Sequence, residues 1–306
     1  MESKGNWIGH AACFCAYLIF AINVIVCKDL TNSHIISPMG LFCLRALGAS
    51  VLFWIISLFL PKEKVDPRDF WKIFIASMLG LVMTQVSFLF AITMTTPLDT
   101  SLYSSITPIF TMFIAAIALK EPITWKKLLG VVVSFAGIIF LILNSVSARA
   151  GAATTRPLGI VLCLLNNLSF ALYLGIFRPL ISKYSVVTFM KWMFLFAMVV
   201  ALPFTAKELV SLDYGSMPTT YWTELLFIII FSTFIAYYLI PFGQKRVRPT
   251  IISIYSYIQP IVASVVSIWV GMDVLSWQKV VAALSIFVGL YIVNRSPGGS
   301  GVEVSS

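Results

Sequence analysis

The sequence predicts an all-α membrane protein: ten transmembrane helices arranged as two inverted five-helix repeats. Three observations predict it. First, 59% of the 306 residues are hydrophobic and only 11% are charged, with a mean hydropathy of +0.97. A soluble domain carries about 25% charged residues, and a water-facing surface cannot be built from so few. Second, apolar runs long enough to cross a bilayer, about 20 residues each, recur along the whole chain. Third, IYSYIQPI at 254–261 nearly repeats LYSSITPI at 102–109.

The runs lie at 7–28, 38–60, 70–93, 97–119, 125–144, 157–178, 186–206, 221–243, 249–271 and 275–294. The breaks between them carry Pro, Gly or charge: PKEKVDPRD at 61–69, KEP at 120–122, ARAGAATTRP at 148–157 and QKRVRP at 244–249. The runs are continuous rather than alternating, which argues against a β-barrel. The first run lacks a small-residue cleavage site, so it is expected to stay as a span rather than leave as a signal peptide. The loops are too short to hold a soluble catalytic domain. Residues 296–306, SPGGSGVEVSS, read as a disordered tail.

Lysine and arginine set the orientation. With the N-terminus inside, the inner loops hold fourteen basic residues, among them Lys62, Lys64, Arg68, Lys72, Lys183 and Lys245. The outer side holds five: Lys28, Arg149, Arg156, Lys207 and Lys279. This positive-inside bias places both termini in the cytoplasm. The simplest membrane is a plasma membrane, the bacterial inner one. The net charge of +9 is therefore a topology signal, and no aromatic-interleaved basic patch points to nucleic acid.

The repeat runs well beyond eight residues. At an offset of 152, Pro97 meets Pro249, Tyr103 meets Tyr255, Ser104 meets Ser256, Thr107 meets Gln259, Pro108 meets Pro260 and Gly137 meets Gly289. At an offset of 150, Gly9 meets Gly159, Cys13 meets Cys163 and Phe20 meets Phe170. The halves are residues 1–148 and 149–295. Each has five spans, an odd number, so the second half enters the membrane upside down. Two halves related by a two-fold axis in the membrane plane favour alternating access around a midplane site.

The stretch PIFTMFIAAIALKEPITWKKLLGVVVSFAGIIFLI at 108–142 and its partner PIVASVVSIWVGMDVLSWQKVVAALSIFVGLYIV at 260–293 carry a resemblance. With the paired five-span halves, the chain resembles the EamA-type ten-span carriers of the drug/metabolite transporter superfamily over about residues 7–294. The resemblance implies a carrier whose central cavity is lined by spans of both halves, and members that export amino acids, other metabolites or drugs. Asp273-Val274 stands where the first half has Glu-Pro, a departure from the pattern.

Polar residues inside spans are costly and therefore informative. Arg45 and Lys191 lie in spans 2 and 7, at places read as corresponding. Each is expected either to meet a carboxylate or phosphate, or to snorkel to the interface. Asn23, Gln85, Asn166, Asn167 and Gln259 are neutral candidates for substrate contact or helix–helix bonding. Tyr103, Tyr255 and Tyr257 are expected to face the pathway, with Tyr17, Tyr173, Tyr237 and Tyr238 as secondary candidates. Pro108 and Pro260 are the expected hinges or helix breaks. Small residues at Gly130, Gly137, Ser285 and Gly289 read as scaffold contacts or a dimer seam.

No Asp or Glu sits deep in a span, which weakens proton coupling through a carboxylate. An amino acid or related organic acid fits the unbalanced cations and the aromatic content. A small-molecule substrate and the lipid bilayer are the expected partners. No cofactor, metal or catalytic residue is expected: His10 and His34 share no ligand spacing, the five cysteines read as buried apolar residues, and no phosphate-binding loop is present.

Overall fold

The computed structural model describes residues 2–118, 124–146, 155–215, 217–247, 252–253, 255–272, 274 and 276–294. The KEP connector, Pro249, Asp273, the boundary expected at 148/149 and the expected tail lie outside the described residues.

The described elements are helical. They are α1 (Glu2–Asn32), α2 (Pro38–Leu58) and α3 (Pro67–Met94) with a π segment at Met78–Met83. Then come α4 (Pro97–Ser104), α5 (Thr107–Ala118) and α6 (Trp125–Val146). They are followed by α7 (Pro157–Ile176), α8 (Arg178–Lys183) and α9 (Val186–Ser211). The last are α10 (Thr219–Gln244) with a π segment at Ile228–Ile235, a 3-10 turn at Tyr255–Tyr257, α11 (Ile258–Trp269) and α12 (Trp277–Asn294). Six of these helices, α1, α2, α3, α7, α9 and α10, are long and apolar enough to cross a membrane.

The helix starts are written locally. Ser37, Asp66 and Thr96 each cap a helix whose first residue is proline, and each side chain accepts a bond from a backbone N–H of the first turn. Ser185 caps α9 in the same way, accepting from the Thr188 N–H. Such caps satisfy donors the helix leaves open, and proline at the first position lacks one of those donors. The breaks fall just upstream of the expected hinges. The helix is interrupted at Ser105–Ile106, before Pro108, and the 3-10 turn ends at Tyr257, before Pro260.

Packing follows matched pairs. α2 lies against α9, and α6 against α12. α1 packs on the C-terminal part of α10 and on α11; α7 packs on the C-terminal part of α3 and on α5. In the α6–α12 seam, a Cβ at Gly137 would come within 2.8 Å of Ser285 Cβ, and one at Gly289 would strike Ser134 and the Gly130 carbonyl. The small residues flagged in the sequence thus form a contact within the chain. Four of the five cysteines are buried, while Cys15 is exposed on α1.

Candidate functional site: a central polar cavity

A cavity opens among α1, α2, α3, α7 and α10, with residues at the breaks before α5 and α11 reaching in. Its walls are built from positions about 150 residues apart. Tyr17 and Asn167 line it, as do Phe20 and Phe170, and Gln85 and Tyr237. Ser104 and Ser256, and Thr107 and Gln259, complete the set of pairs.

The π segments help aim these side chains. A π turn adds a residue to the helical circuit and is frequent at functional sites. Thr84 donates to the Leu79 carbonyl and Thr233 to the Ile228 carbonyl, both five residues back. Thr84 and Gln85 follow the first π segment and reach the cavity. Thr233 lies within the second and accepts a bond from Arg45 Nε at 2.9 Å.

Arg45 is 2% exposed and lines the cavity. It does not snorkel: besides Thr233, its Nη1 lies 3.7 Å from Cys27 Sγ. An arginine at mid-helix costs about 2.5–3.5 kcal/mol on insertion scales. Asn23 stands next to this group. Its Oδ1 accepts from Ser232 Oγ at 2.7 Å and from Cys27 Sγ at 3.3 Å. The two neighbouring asparagines are partly committed to helix contacts. Asn166 Nδ2 donates to the Thr84 carbonyl, and Asn167 bridges Thr107 Oγ1 and the Cys163 carbonyl.

Three polar groups in the lining lack hydrogen-bond partners. They are both amide atoms of Gln85, the Tyr17 hydroxyl and the Ser256 hydroxyl. The Gln85 amide faces the Tyr237 hydroxyl without closing a bond. Leaving such groups buried and unsatisfied costs about 1–3 kcal/mol each.

Of the ten sequence candidates, six share this cavity: Arg45, Asn23, Gln85, Asn166, Asn167 and Gln259. Four do not line it. Lys191 lies over the Trp54 ring at 4.8 Å, in a separate groove beside Glu63 and Asp66. Tyr103 is buried in a second hydrophobic cluster. The Tyr255 hydroxyl lies 2.7 Å from His10 Nδ1, and Tyr257 packs edge-on against Phe287. Of the secondary candidates, Tyr17 and Tyr237 line the cavity; Tyr173 is buried against Phe170. Thr84, Ser104, Ser256 and the phenylalanines were not singled out as site residues, though the repeat had already paired Ser104 with Ser256 and Phe20 with Phe170.

Both ends of the α2–α9 pair are clasped. Ser37 donates from its N–H and its hydroxyl to Glu208, at 2.8 and 2.7 Å. At the other end the Ser185 N–H donates to Glu63 at 3.0 Å. Burial pushes the Glu63 carboxyl up, but bonds from Thr188 and Ser185 outweigh it and hold its pKa below the usual glutamate value. On this same end Asp69 accepts from Lys183 at 2.6 Å, Tyr184 at 2.7 Å and Lys72 at 2.8 Å. The bond to Asp69 raises the Lys183 pKa. Elsewhere Asp99, 2% exposed, pairs with Lys279 at 3.1 Å and accepts from Thr155. Among the described residues no three His, Cys, Asp or Glu side chains group as metal ligands.

Apolar helices of membrane length around a cavity lined by polar and aromatic side chains define an integral membrane protein with a candidate site for a small molecule. The EamA-like transporter family matches residues 7–143 and 157–295, and the chain belongs to that family. It is 26% identical over 73% of its length to the uncharacterized transporter YetK of Bacillus subtilis, covering 68% of that protein. It is 24% identical to an uncharacterized transporter of Archaeoglobus fulgidus, over 85% of this chain and 90% of the other. It is also 24% identical to the protein PecM of Dickeya dadantii, over 84% and 82% of the two chains. One solved crystal structure shares the fold with a TM-score of 0.63, at 16% identity over 95% of this chain and 96% of the other.

Proposed function

We propose that the protein is a secondary transporter that moves small organic metabolites, amino acids or related organic acids, across the membrane by alternating access. The observation that carries this reading is the pairing of cavity residues: positions about 150 apart in the chain meet around one space. Such pairing is what two inverted five-span repeats, residues 1–148 and 149–295, would produce. The broken helices α4–α5 and the 3-10 turn with α11 then count as spans four and nine, and α6 and α12 as five and ten. A site on the axis relating the halves can face either side at similar energy.

The clasps support the same arrangement. The start of α2 meets the end of α9, and the start of α9 meets the segment after α2, so the two helices run antiparallel as an inverted repeat requires. The basic cluster of Lys72, Lys183 and Lys245 would lie inside, with both termini cytoplasmic. A bacterial inner membrane is the simplest placing, and the outward direction rests on the family resemblance.

The test is transport by the purified chain in liposomes. A mixed labelled pool of amino acids and organic acids is offered with and without a pH gradient. Selective, saturable flux is expected. Folded protein that passes no member of that pool, nor of a wider one with nucleosides, sugars and cationic drugs, contradicts the reading and leaves a non-transporting sensor or assembly subunit.

A further inference from the structure

The central cavity carries a charge imbalance that bears on what it can hold. Arg45 is the one formally charged side chain in its described lining, which contains no Asp, Glu, Lys or His. The guanidinium meets only neutral partners, Thr233 and Cys27. The nearest acidic pair, Asp29 and Glu224, face each other on the far side of Cys27, and Asp99 is held by Lys279 and Thr155. None of the three lines the cavity or hydrogen-bonds Arg45.

A second, independent observation also points to a ligand. Gln85, Tyr17 and Ser256 are 3%, 2% and 1% exposed, line the cavity, and end in polar atoms without partners. An amide and two hydroxyls can each donate or accept, so they suit a neutral polar group or the remaining oxygens of an acid. The rings of Phe20, Phe88 and Phe170 give the same space apolar walls.

We propose that this cavity selects small organic monoanions over zwitterions and cations, and that Arg45 sets that preference. The proposal rests on the transport reading only for its flux assay. A monoanion supplies the counter-charge the cavity lacks. A zwitterionic amino acid brings an ammonium group for which the lining offers no carboxylate, and a cation adds a second positive charge beside a buried guanidinium. In a low-dielectric site an unmatched charge is costly. The preference therefore narrows the substrate from amino or organic acids to the organic acids.

Three probes with one aromatic body separate the charge states: 3-phenylpropionate (anion), phenylalanine (zwitterion) and phenethylamine (cation). Each is offered at millimolar concentration, as labelled compound to proteoliposomes and as ligand to the detergent-solubilised full chain in a thermal-shift assay. 3-Phenylpropionate is expected to cross saturably and to stabilise the protein, with a preference of at least about tenfold over the other two. Arg45→Gln is expected to abolish the preference and Arg45→Lys, which keeps the charge and guards against a folding failure, to retain part of it. Lys191→Gln, outside the cavity, is expected to leave it unchanged.

Equal or faster passage of phenylalanine or phenethylamine overturns the proposal while leaving the carrier reading standing. So does an anion preference that survives Arg45→Gln. Arg45-dependent stabilisation by 3-phenylpropionate with no flux of any probe upholds the charge selection and counts against the carrier. Neither flux nor stabilisation with 3-phenylpropionate overturns the proposal.

Discussion

Ser37 at the start of α2 donates its hydroxyl to Glu208 at the end of α9, at 2.7 Å. Ser185 at the start of α9 donates its N–H to Glu63 just beyond the end of α2. One bond is the counterpart of the other, 148 residues apart at the serines, and together they pin two antiparallel helices at both ends. Gly40 permits the first: a Cβ there would stand 2.5 Å from Glu208 Oε1.

Glu208→Ala is expected to leave the Ser37 N–H and hydroxyl without their acceptor. Bonds to a charged group contribute about 1.5–3 kcal/mol, so thermal unfolding in detergent should begin several degrees lower. Gly40→Ala should act in the same direction and add little when combined with Glu208→Ala, because both remove one contact. Additive losses would show that the clasp is not shared.

The other clasp titrates. Glu63 has its carboxyl pKa held down in the folded protein, so its contribution is fully present above the unfolded value of about 4.3 and is lost as pH falls through the lower folded value. Wild type should lose stability on acidification below about pH 4 more steeply than Glu63→Gln. Parallel profiles for the two proteins would contradict the assignment.

Gly289 and Gly137 allow α6 and α12 to touch backbone to side chain. Gly289→Ala is expected to destabilise the chain by about 1–3 kcal/mol through overpacking. Gly215→Ala is the control, since a Cβ there meets only Asp213 at 3.5 Å. Thermal shifts of the two variants give the comparison; equal shifts would remove the seam from the account.

Gln85 is buried with neither amide atom bonded. Replacing a buried unsatisfied amide by a hydrocarbon of similar size is neutral or stabilising. Gln85→Leu should therefore raise the melting temperature and lower flux in liposomes. A less stable variant would show that the amide serves the fold, and a fully active one would show that it serves no ligand.

The apolar runs and the repeat were legible because both are properties of residue order: length, hydropathy and a constant offset. The span starts are written in Ser-Pro, Asp-Pro and Thr-Pro pairs, but apolar runs do not weigh them, which is why the third run is read from 70 and the helix starts at Pro67. Asn23, Gln85 and Gln259 could be named because an amide inside an apolar run stands out. Tyr17, Tyr237, Ser104 and Ser256 were harder, since aromatic and hydroxyl side chains are common in spans and only a twin across the repeat marks them. The pairing of Arg45 with Lys191 fails on register. The helix starts at Ser37 and Ser185 align Arg45 with Met193 instead. That shift of two residues is roughly 200° around a helix, enough to turn Lys191 away to Trp54. Tyr255 and Tyr257 sit in a 3-10 turn, whose side-chain directions helical spacing does not give.

The central claim is that one cavity, built from twin positions, is open to each side of the membrane in turn. Its most direct measurement is thiol labelling of Ser256→Cys in a chain whose five native cysteines are replaced, in sealed vesicles of known orientation. A membrane-impermeant reagent is applied from one face and then, in parallel samples, from the other, with and without transported substrate. The account predicts labelling from both faces and protection by substrate on both. Labelling from one face only, in vesicles that still transport, would contradict it.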